Sequence, residues 1–248
     1  MRSMTKSEME YWNDIENEKG KSYWIEDESD RKLLNFIREQ TNLERCFMDS
    51  LHFAKDFSDG VYGNIIDIGA GVCWSSAIIS KMDNVESVTS VDLSEHRLLK
   101  IAPLVFRQLG GNYEKFKPIV DDFLTGPLPT NHYNVAVFCQ ALYMFPNLDM
   151  VLKRVYELLV PGGLLIVACE RITPEYPLFS VKGIKRKTIH LLKGRADLTG
   201  NNFYTDGEYR SSIKKNGFTY KFQLLDYPLY ANNLYLNAGN HFGICYKK

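Results

Sequence analysis

The sequence predicts an α/β fold, with helices covering a doubly wound, seven-stranded and mostly parallel sheet. Three observations predict it. Short apolar runs alternate with helical patterns, a glycine-containing turn follows the first run, and an acid follows the second. An antiparallel C-terminal strand and an N-terminal helical cap complete the expected architecture. The sheet brings the ends of its parallel strands to one edge, where open α/β folds bind ligands.

Composition narrows the class of protein. The chain has 248 residues, of which 45% are hydrophobic, and a net charge of zero, which fits one domain with additions and gives no field that would attract nucleic acid or an anionic membrane. Five scattered cysteines without a Cys-x-x-Cys pair argue against a metal site and a disulfide framework. Reduced thiols and a polar N-terminus predict a cytoplasmic protein. A monomer and a homodimer both stay open.

The first strand and its turn are the centre of this prediction. The strand carries Asp67, and the turn that follows has Gly69 and Gly71. Glycine suits such a turn because the backbone must bend sharply and a ligand must approach it without a Cβ in the way. A nicotinamide-binding turn needs a further glycine three residues after the second, and Trp74 stands there instead.

An acid also ends the second predicted strand. Asp92 lies 21 residues past Gly71, about where doubly wound sheets place the carboxylate that accepts hydrogen bonds from both hydroxyls of a ribose. A strand-end Asp is equally suited to cap the following helix, so that alternative stays open.

Two motifs carry a resemblance to a known family. Asp67-x-Gly69-x-Gly71 resembles the first motif of the class I S-adenosylmethionine-dependent methyltransferases, acid-x-Gly-x-Gly-x-Gly, with Cys73 at the third glycine. Leu-x-Pro-Gly-Gly at Leu159–Gly163 resembles the turn that precedes a buried strand in this family. The motifs and strand-end acids keep the family's order over residues 61–170. The resemblance implies a Rossmann-like sheet and S-adenosyl-L-methionine as cofactor, with S-adenosyl-L-homocysteine as product.

The resemblance also implies the cofactor contacts. Asp122, eleven residues before Tyr133, would take the adenine amino group, and Phe123 would lie beside the ring; a solvated acidic turn is the alternative. The complete predicted cofactor set is Asp67, Gly69, Gly71, Asp92, Leu93, Asp122, Phe123 and Cys139.

The domain, residues 1–248, divides into a helical cap (1–58), a cofactor-binding core (61–170 and 205–248) and an inserted acceptor lid (171–204). In the cap, Tyr11, Trp12 and Trp24 either anchor an N-terminal arm or stack on the acceptor. Residues 171–200 hold seven bases against two acids. Lys185 and Arg186 of the lid are predicted to hold an anionic acceptor group, with a solvated helix face as the alternative.

The predicted reaction is transfer of a methyl group to a hydroxyl or carboxyl of a small metabolite, with an anionic or sugar-containing acceptor favoured. The protein would then be an O-methyltransferase. A carboxylate acceptor needs no base, whereas a hydroxyl needs one. The candidates are His190, which titrates near neutrality, and Tyr143 and Glu170, which follow the fourth and fifth predicted strands.

Two alternatives stay open. Cys73 and Asn134 depart from the family pattern and allow a non-catalytic methyltransferase-like partner protein. A nicotinamide-dependent oxidoreductase is opposed by Trp74 and by the lack of a Tyr-x-x-x-Lys pair near the fourth helix. After Cys139 the chain lacks the Asn/Asp-Pro-Pro-aromatic motif of enzymes that methylate amino groups of nucleic acid or protein glutamine, which argues against those acceptors.

Overall fold

The computed structural model describes residues 25, 27–170, 172, 204–230 and 241–247. Seven strands form one sheet in the order β3-β2-β1-β4-β5-β7-β6. The strands are β1 (Gly63–Ile68), β2 (Val85–Asp92), β3 (Phe116–Val120), β4 (Tyr133–Cys139), β5 (Leu159–Ala168), β6 (Phe218–Leu224) and β7 (His241–Lys247). All neighbouring strands pair in parallel except where β7 pairs with β5 and β6. The predicted mostly parallel sheet with an antiparallel C-terminal strand is confirmed.

Helices cover both faces of this sheet. The α-helices are α1 (Lys32–Asn35), α2 (Leu43–Phe57), α3 (Trp74–Ser80), α4 (Ala102–Leu109), α5 (Leu148–Leu158) and α6 (Asp206–Lys215). Helices α1 to α4 pack on one face and α5 and α6 on the other, so each face has its own hydrophobic cluster. Within β1, Ile65 belongs to the first cluster and Ile66 to the second. A strand buried on both faces needs the continuous apolar run that the sequence shows.

The helix after β2 is already helical at Glu95 and His96, contains a π-helical segment, Arg97–Ile101, and continues as α4 from Ala102. Pro103 lies just after this π-helical segment, where the hydrogen-bond ladder already departs from regular α-helical pairing.

The Pro161-Gly162-Gly163 segment is placed differently from the prediction of a turn between a helix and a strand. Helix α5 ends at Leu158, and β5 already begins at Leu159. Between the pairs Tyr133↔Leu159 and Val135↔Leu164, β5 advances five residues while β4 advances two. The extra residues therefore form a bulge inside the strand, and Gly162, with φ of 76°, supplies the left-handed backbone that the bulge needs.

The C-terminal elements follow their local signals. Thr205 and Glu208 form a capping box at the start of α6. The chain then turns at Asn216 and Gly217 into β6, which pairs with β7 in antiparallel orientation. The division into cap, core and lid stays a prediction, because residues 1–24 and 173–203 lie outside the described chain.

Candidate active site

Strand ends β1, β2, β4 and β5 meet at the carboxyl edge of the sheet, and the backbone there is unusual. Cys73, Gln140 and Cys169 have φ of 62°, 59° and 59° although none is glycine. Left-handed backbone at non-glycine residues costs free energy and clusters at functional sites. At Cys73, the position of the family's third glycine, the turn keeps a glycine-like conformation with a cysteine in it.

Asp67 is the buried carboxylate of this edge. Its side chain is in β1, 1% exposed, and Oδ2 accepts hydrogen bonds from Ser75 Oγ at 2.7 Å and Ser76 Oγ at 2.5 Å. Burial raises the pKa of Asp67 to about 6; the two serines oppose the shift, and the negative charge of Asp92 adds to it. Among the described residues, Oδ1 has no hydrogen-bond partner. A buried acceptor left open in this way fits a ligand that brings a donor or a positive charge.

Asp92 fastens the turn to the second strand. Oδ2 accepts the backbone N–H of Gly71 at 2.8 Å, and Oδ1 accepts that of Ser94 at 2.9 Å. The bond to Ser94 does not make Asp92 the helix cap that the sequence left open, because Ser94 itself caps the helix through its Oγ, which accepts the N–H of Arg97 at 3.2 Å. A carboxylate has about four acceptor positions, so two such bonds leave room for a ribose diol.

The turn itself, Gly69–Gly71, is called the glycine turn below. Gly69 and Gly71 have φ of 66° and 54°, which glycine adopts without strain. A Cβ at Gly69 would lie 2.8 Å from the Cβ of Ala141, in the segment after β4. The segment after β4 thus approaches the glycine turn so closely that no side chain fits between them.

Asp122 and Phe123 follow β3. Asp122 is 6% exposed and accepts the N–H of Leu124 at 2.9 Å. This burial does not fit the alternative of a solvated acidic turn. Phe123 packs edge-on against Phe138 and Phe145, with ring centroids 6.3 and 6.0 Å apart, so the ring is part of the core as well as a neighbour of the predicted adenine position.

The two remaining predicted cofactor residues lie at strand ends. Leu93 is half-buried directly after β2, and Cys139 is the last residue of β4. Burial raises the pKa of the Cys139 thiol and, beside it, that of Cys169. A neutral thiol is a weak nucleophile, so Cys139 fits a contact surface and not a covalent role.

On the acceptor side, Glu170 accepts three consecutive backbone N–H groups, those of Ala141, Leu142 and Tyr143, at 2.9, 3.0 and 3.0 Å. Tyr143 itself is 8% exposed. The other predicted residues, His190, Tyr11, Trp12, Trp24, Lys185 and Arg186, lie outside the described residues and stay predictions.

Sequence reasoning missed several residues of this edge. Ser75 and Ser76 hold Asp67, and two serines opening the helix after a glycine turn were a usable signal. Tyr230, which precedes β7, accepts a hydrogen bond from the Gln140 side chain. Arg97 has its Nη1 3.8 Å from the position that a Cβ would take at Gly71. Nothing in the sequence distinguishes Tyr230 or Arg97 from surface residues.

The described residues show neither a group of metal ligands nor a membrane-spanning helix. They include no group of three or more His, Cys, Asp and Glu side chains placed to hold a metal ion. None of the described helices is long and apolar enough to cross a bilayer.

Comparison with known proteins identifies the domain. A family model described as a methyltransferase domain matches residues 66–167. A sterol 24-C-methyltransferase of Gibberella zeae is 25% identical over 100 residues, covering 40% of this chain and 26% of the relative. The chain thus corresponds to about a quarter of that relative's length.

Solved structures share the fold. Geranyl diphosphate C-methyltransferase from Streptomyces coelicolor, in complex with Mg2+, geranyl diphosphate and S-adenosyl-L-homocysteine, superposes with a TM-score of 0.65 at 15% identity over 99% of both chains. A phosphoethanolamine N-methyltransferase of Haemonchus contortus, in complex with phosphomonomethylethanolamine and S-adenosylhomocysteine, gives 0.58 at 14% identity over 81% of this chain and 52% of that chain. Residues 66–167 therefore match a methyltransferase domain, and the sheet that contains them has the fold of these solved methyltransferases.

Proposed function

We propose that this protein transfers the methyl group of S-adenosyl-L-methionine to a hydroxyl or carboxyl oxygen of a small-molecule acceptor. The observation that carries the proposal is the buried Asp67 carboxylate, whose Oδ1 has no partner among the described residues. The cofactor brings an ammonium group and a positively charged sulfonium, and either charge would compensate a carboxylate held out of water.

The residues of the edge fit this cofactor. Asp67 would face its positive charge, Asp92 would accept from its ribose hydroxyls, and Asp122 would accept from its adenine amino group beside Phe123. When bound, the cofactor supplies a methyl group on a sulfonium, which is already an activated leaving group. The glycine turn would let such a ligand approach the backbone because a glycine has no Cβ to obstruct it.

The chain's own contribution is then alignment and exclusion of water. Glu170 is buried and bonded to three backbone N–H groups, so it is a poor candidate for removing a proton from an acceptor. Tyr143, in the segment that Glu170 holds, and His190 remain candidates for the base on the basis of the sequence alone. A carboxylate acceptor would need neither of them.

The acceptor remains the open part of the proposal. Lys185 and Arg186 with the rings of Tyr11, Trp12 and Trp24 support an anionic or sugar-containing metabolite, because phosphates and carboxylates pair with bases and sugars stack on aromatic rings. A cytoplasmic location, the absence of nucleic-acid and membrane partners, and a monomer or homodimer remain expectations from composition.

A second candidate is methylation at carbon. It is favoured by the similarity to the sterol 24-C-methyltransferase and to geranyl diphosphate C-methyltransferase. For this reaction the acceptor would be an alkene rather than an oxygen acid: its π bond would take the methyl group, S-adenosyl-L-homocysteine would leave, and the resulting carbocation would then lose a proton. The aromatic rings of Tyr143 and Phe145, which follow β4, would provide π-faces for that carbocation.

Methyl transfer is tested by incubating the purified protein with methyl-labelled S-adenosyl-L-methionine and separate acceptor pools. One pool contains sugar phosphates and hydroxy acids, and the other contains prenyl diphosphates and sterols; Asp92→Ala is the control protein. Label in a product of the first pool supports oxygen methylation, and the carbon chemical shift of the methyl group identifies the atom. Label only in the second pool supports the carbon acceptor, and no label in either supports the non-catalytic alternative.

A further inference from the structure

Glu170, two residues past the end of β5, is 2% exposed and lies against the backbone that follows β4. Its Oε1 accepts the N–H groups of Ala141 at 2.9 Å and Leu142 at 3.0 Å, and its Oε2 accepts that of Tyr143 at 3.0 Å. Three consecutive donors on one buried carboxylate hold this backbone in a single conformation, because each N–H would lose its partner without it.

The segment held in this way is the short 3-10 helix Leu142–Met144, which begins after Ala141. Ala141 makes no side-chain cap to this helix. Glu170 supplies the cap from the neighbouring strand end and places a negative charge where the N–H groups converge. The residues before each partner, Gln140 and Cys169, both have a left-handed backbone with φ of 59°.

Ala141 connects this cap to the glycine turn. Its Cβ lies 2.8 Å from the position that a Cβ would take at Gly69, so the Ala141 methyl group fills the space that the glycine leaves. Gly69 is fixed from the other side by its N–H bond to the carbonyl of Val91 at the end of β2. A displacement of Ala141 therefore changes the shape of the pocket wall at the glycine turn.

We propose that Glu170 is a positioning residue, which sets the separation between the acceptor wall (Ala141–Met144) and the glycine turn and so controls cofactor binding through Ala141. The inference rests on the proposed function, since the ligand of the glycine turn is taken to be the adenosyl cofactor. A general base, in contrast, needs a carboxylate oxygen open to the proton of an acceptor, and both oxygens of Glu170 are engaged.

The test is calorimetric titration of the full chain with S-adenosyl-L-homocysteine. In Glu170→Gln the amide group faces the N–H of Tyr143, a donor against a donor, so affinity should fall about tenfold. Ala141→Gly removes the methyl group itself and should weaken binding about threefold, with little further loss in the double variant because both changes act on one contact. Glu208→Gln is the matched control: Glu208 also accepts a backbone N–H at a helix start, that of Thr205, but on α6.

The outcomes separate the alternatives. The positioning role predicts that Glu170→Gln loses affinity for S-adenosyl-L-homocysteine. Glu208→Gln should keep an affinity within about twofold of wild type, although its loss of thermal stability is comparable. Unchanged affinity in Glu170→Gln overturns it, and unchanged affinity with lost methyl transfer assigns a direct catalytic role instead. If Glu170→Gln does not fold, unchanged affinity in Ala141→Gly overturns it equally. A wild-type chain that binds no adenosyl ligand overturns the proposed function, and this inference with it.

Discussion

The cofactor side and the acceptor side of the carboxyl edge use a buried carboxylate in opposite ways. Asp67 is 1% exposed and has one oxygen without a partner among the described residues. Glu170 is 2% exposed and accepts three backbone N–H groups. Burying a charge costs free energy unless it is compensated. At Glu170 backbone N–H groups compensate the buried negative charge, and these bonds fix the backbone. At Asp67 the compensation is incomplete, which leaves one carboxylate oxygen available to a ligand.

The largest effect is expected at Asp92, where the cofactor side joins two strands. Asp92→Ala removes the acceptor of the Gly71 and Ser94 N–H groups along with the proposed ribose contacts. Affinity for S-adenosyl-L-homocysteine should fall at least about a hundredfold, or about 3 kcal/mol. Glu95→Gln removes a nearby exposed carboxylate and should leave calorimetric affinity unchanged. Equal affinity in wild type and Asp92→Ala would contradict the assignment.

A pH effect should follow from Asp67. Its pKa in the folded protein, about 6, is above the ordinary value of 3.8, so the folded chain keeps a proton that the unfolded chain releases between about pH 4 and pH 6. The free energy of unfolding should therefore fall as pH rises through this window and level off above it, by about 2–3 kcal/mol in total. Asp67→Asn should lack this fall, which denaturant unfolding at a series of pH values would measure.

The same titration should appear in binding. The ionised form of Asp67 suits a positively charged ligand group, so wild-type affinity for S-adenosyl-L-homocysteine should rise from pH 5 to pH 7, by about tenfold. Asp67→Asn should bind weakly at both pH values. A wild-type affinity that is independent of pH would show that Asp67 does not face the ligand's charge.

Gly69 allows the close approach of the two sides to be measured. Gly69 and Gly110 have the same φ of 66°, but a Cβ at Gly69 would meet Ala141 at 2.8 Å, and one at Gly110 would meet nothing within 4 Å. Alanine at either site should cost about 1–2 kcal/mol of stability for the left-handed backbone. Gly69→Ala alone should also lose affinity for the adenosyl ligand. Equal affinity for the adenosyl ligand in the two variants would refute the close approach.

The smallest effect concerns two tyrosines on the acceptor side. Tyr204 donates to the Phe145 carbonyl at 2.8 Å, whereas the buried Tyr209 hydroxyl has no hydrogen-bond partner among the described residues. Tyr204→Phe should lower the free energy of unfolding by about 1 kcal/mol, and Tyr209→Phe should raise it by up to about 1 kcal/mol. Denaturant unfolding of both variants checks this. A loss of stability in Tyr209→Phe would mean that the hydroxyl is satisfied in solution.

The contrast also explains what could be predicted from the sequence. Asp67, the glycine turn and Asp92 follow strands within one continuous segment, so their order and spacing indicated both the fold and the cofactor side. Glu170 meets Ala141 only through the pairing of β4 with β5, 29 residues away in sequence, and its role as a partner of backbone N–H groups leaves no pattern of residue types. The sequence therefore indicates Glu170 only as a base candidate and does not reveal its contacts with the backbone N–H groups after β4.

Two further differences have similar causes. The Pro161-Gly162-Gly163 segment has the composition of a turn, and only the register between β4 and β5 shows that it is a bulge. Cys73 looked like a break in the glycine motif, yet its backbone has the conformation that glycine would take. Residue type predicts which backbone conformations cost little free energy, whereas the pairing of neighbouring strands determines which of them the chain adopts.

The measurement that tests the account most directly is calorimetric titration of the wild-type chain with S-adenosyl-L-homocysteine, with NADH as the comparison ligand. Asp67, Asp92 and the glycine turn predict micromolar binding of the adenosyl ligand, and Trp74 in place of a further glycine predicts no binding of NADH. Binding of NADH without binding of S-adenosyl-L-homocysteine would contradict the proposed cofactor site.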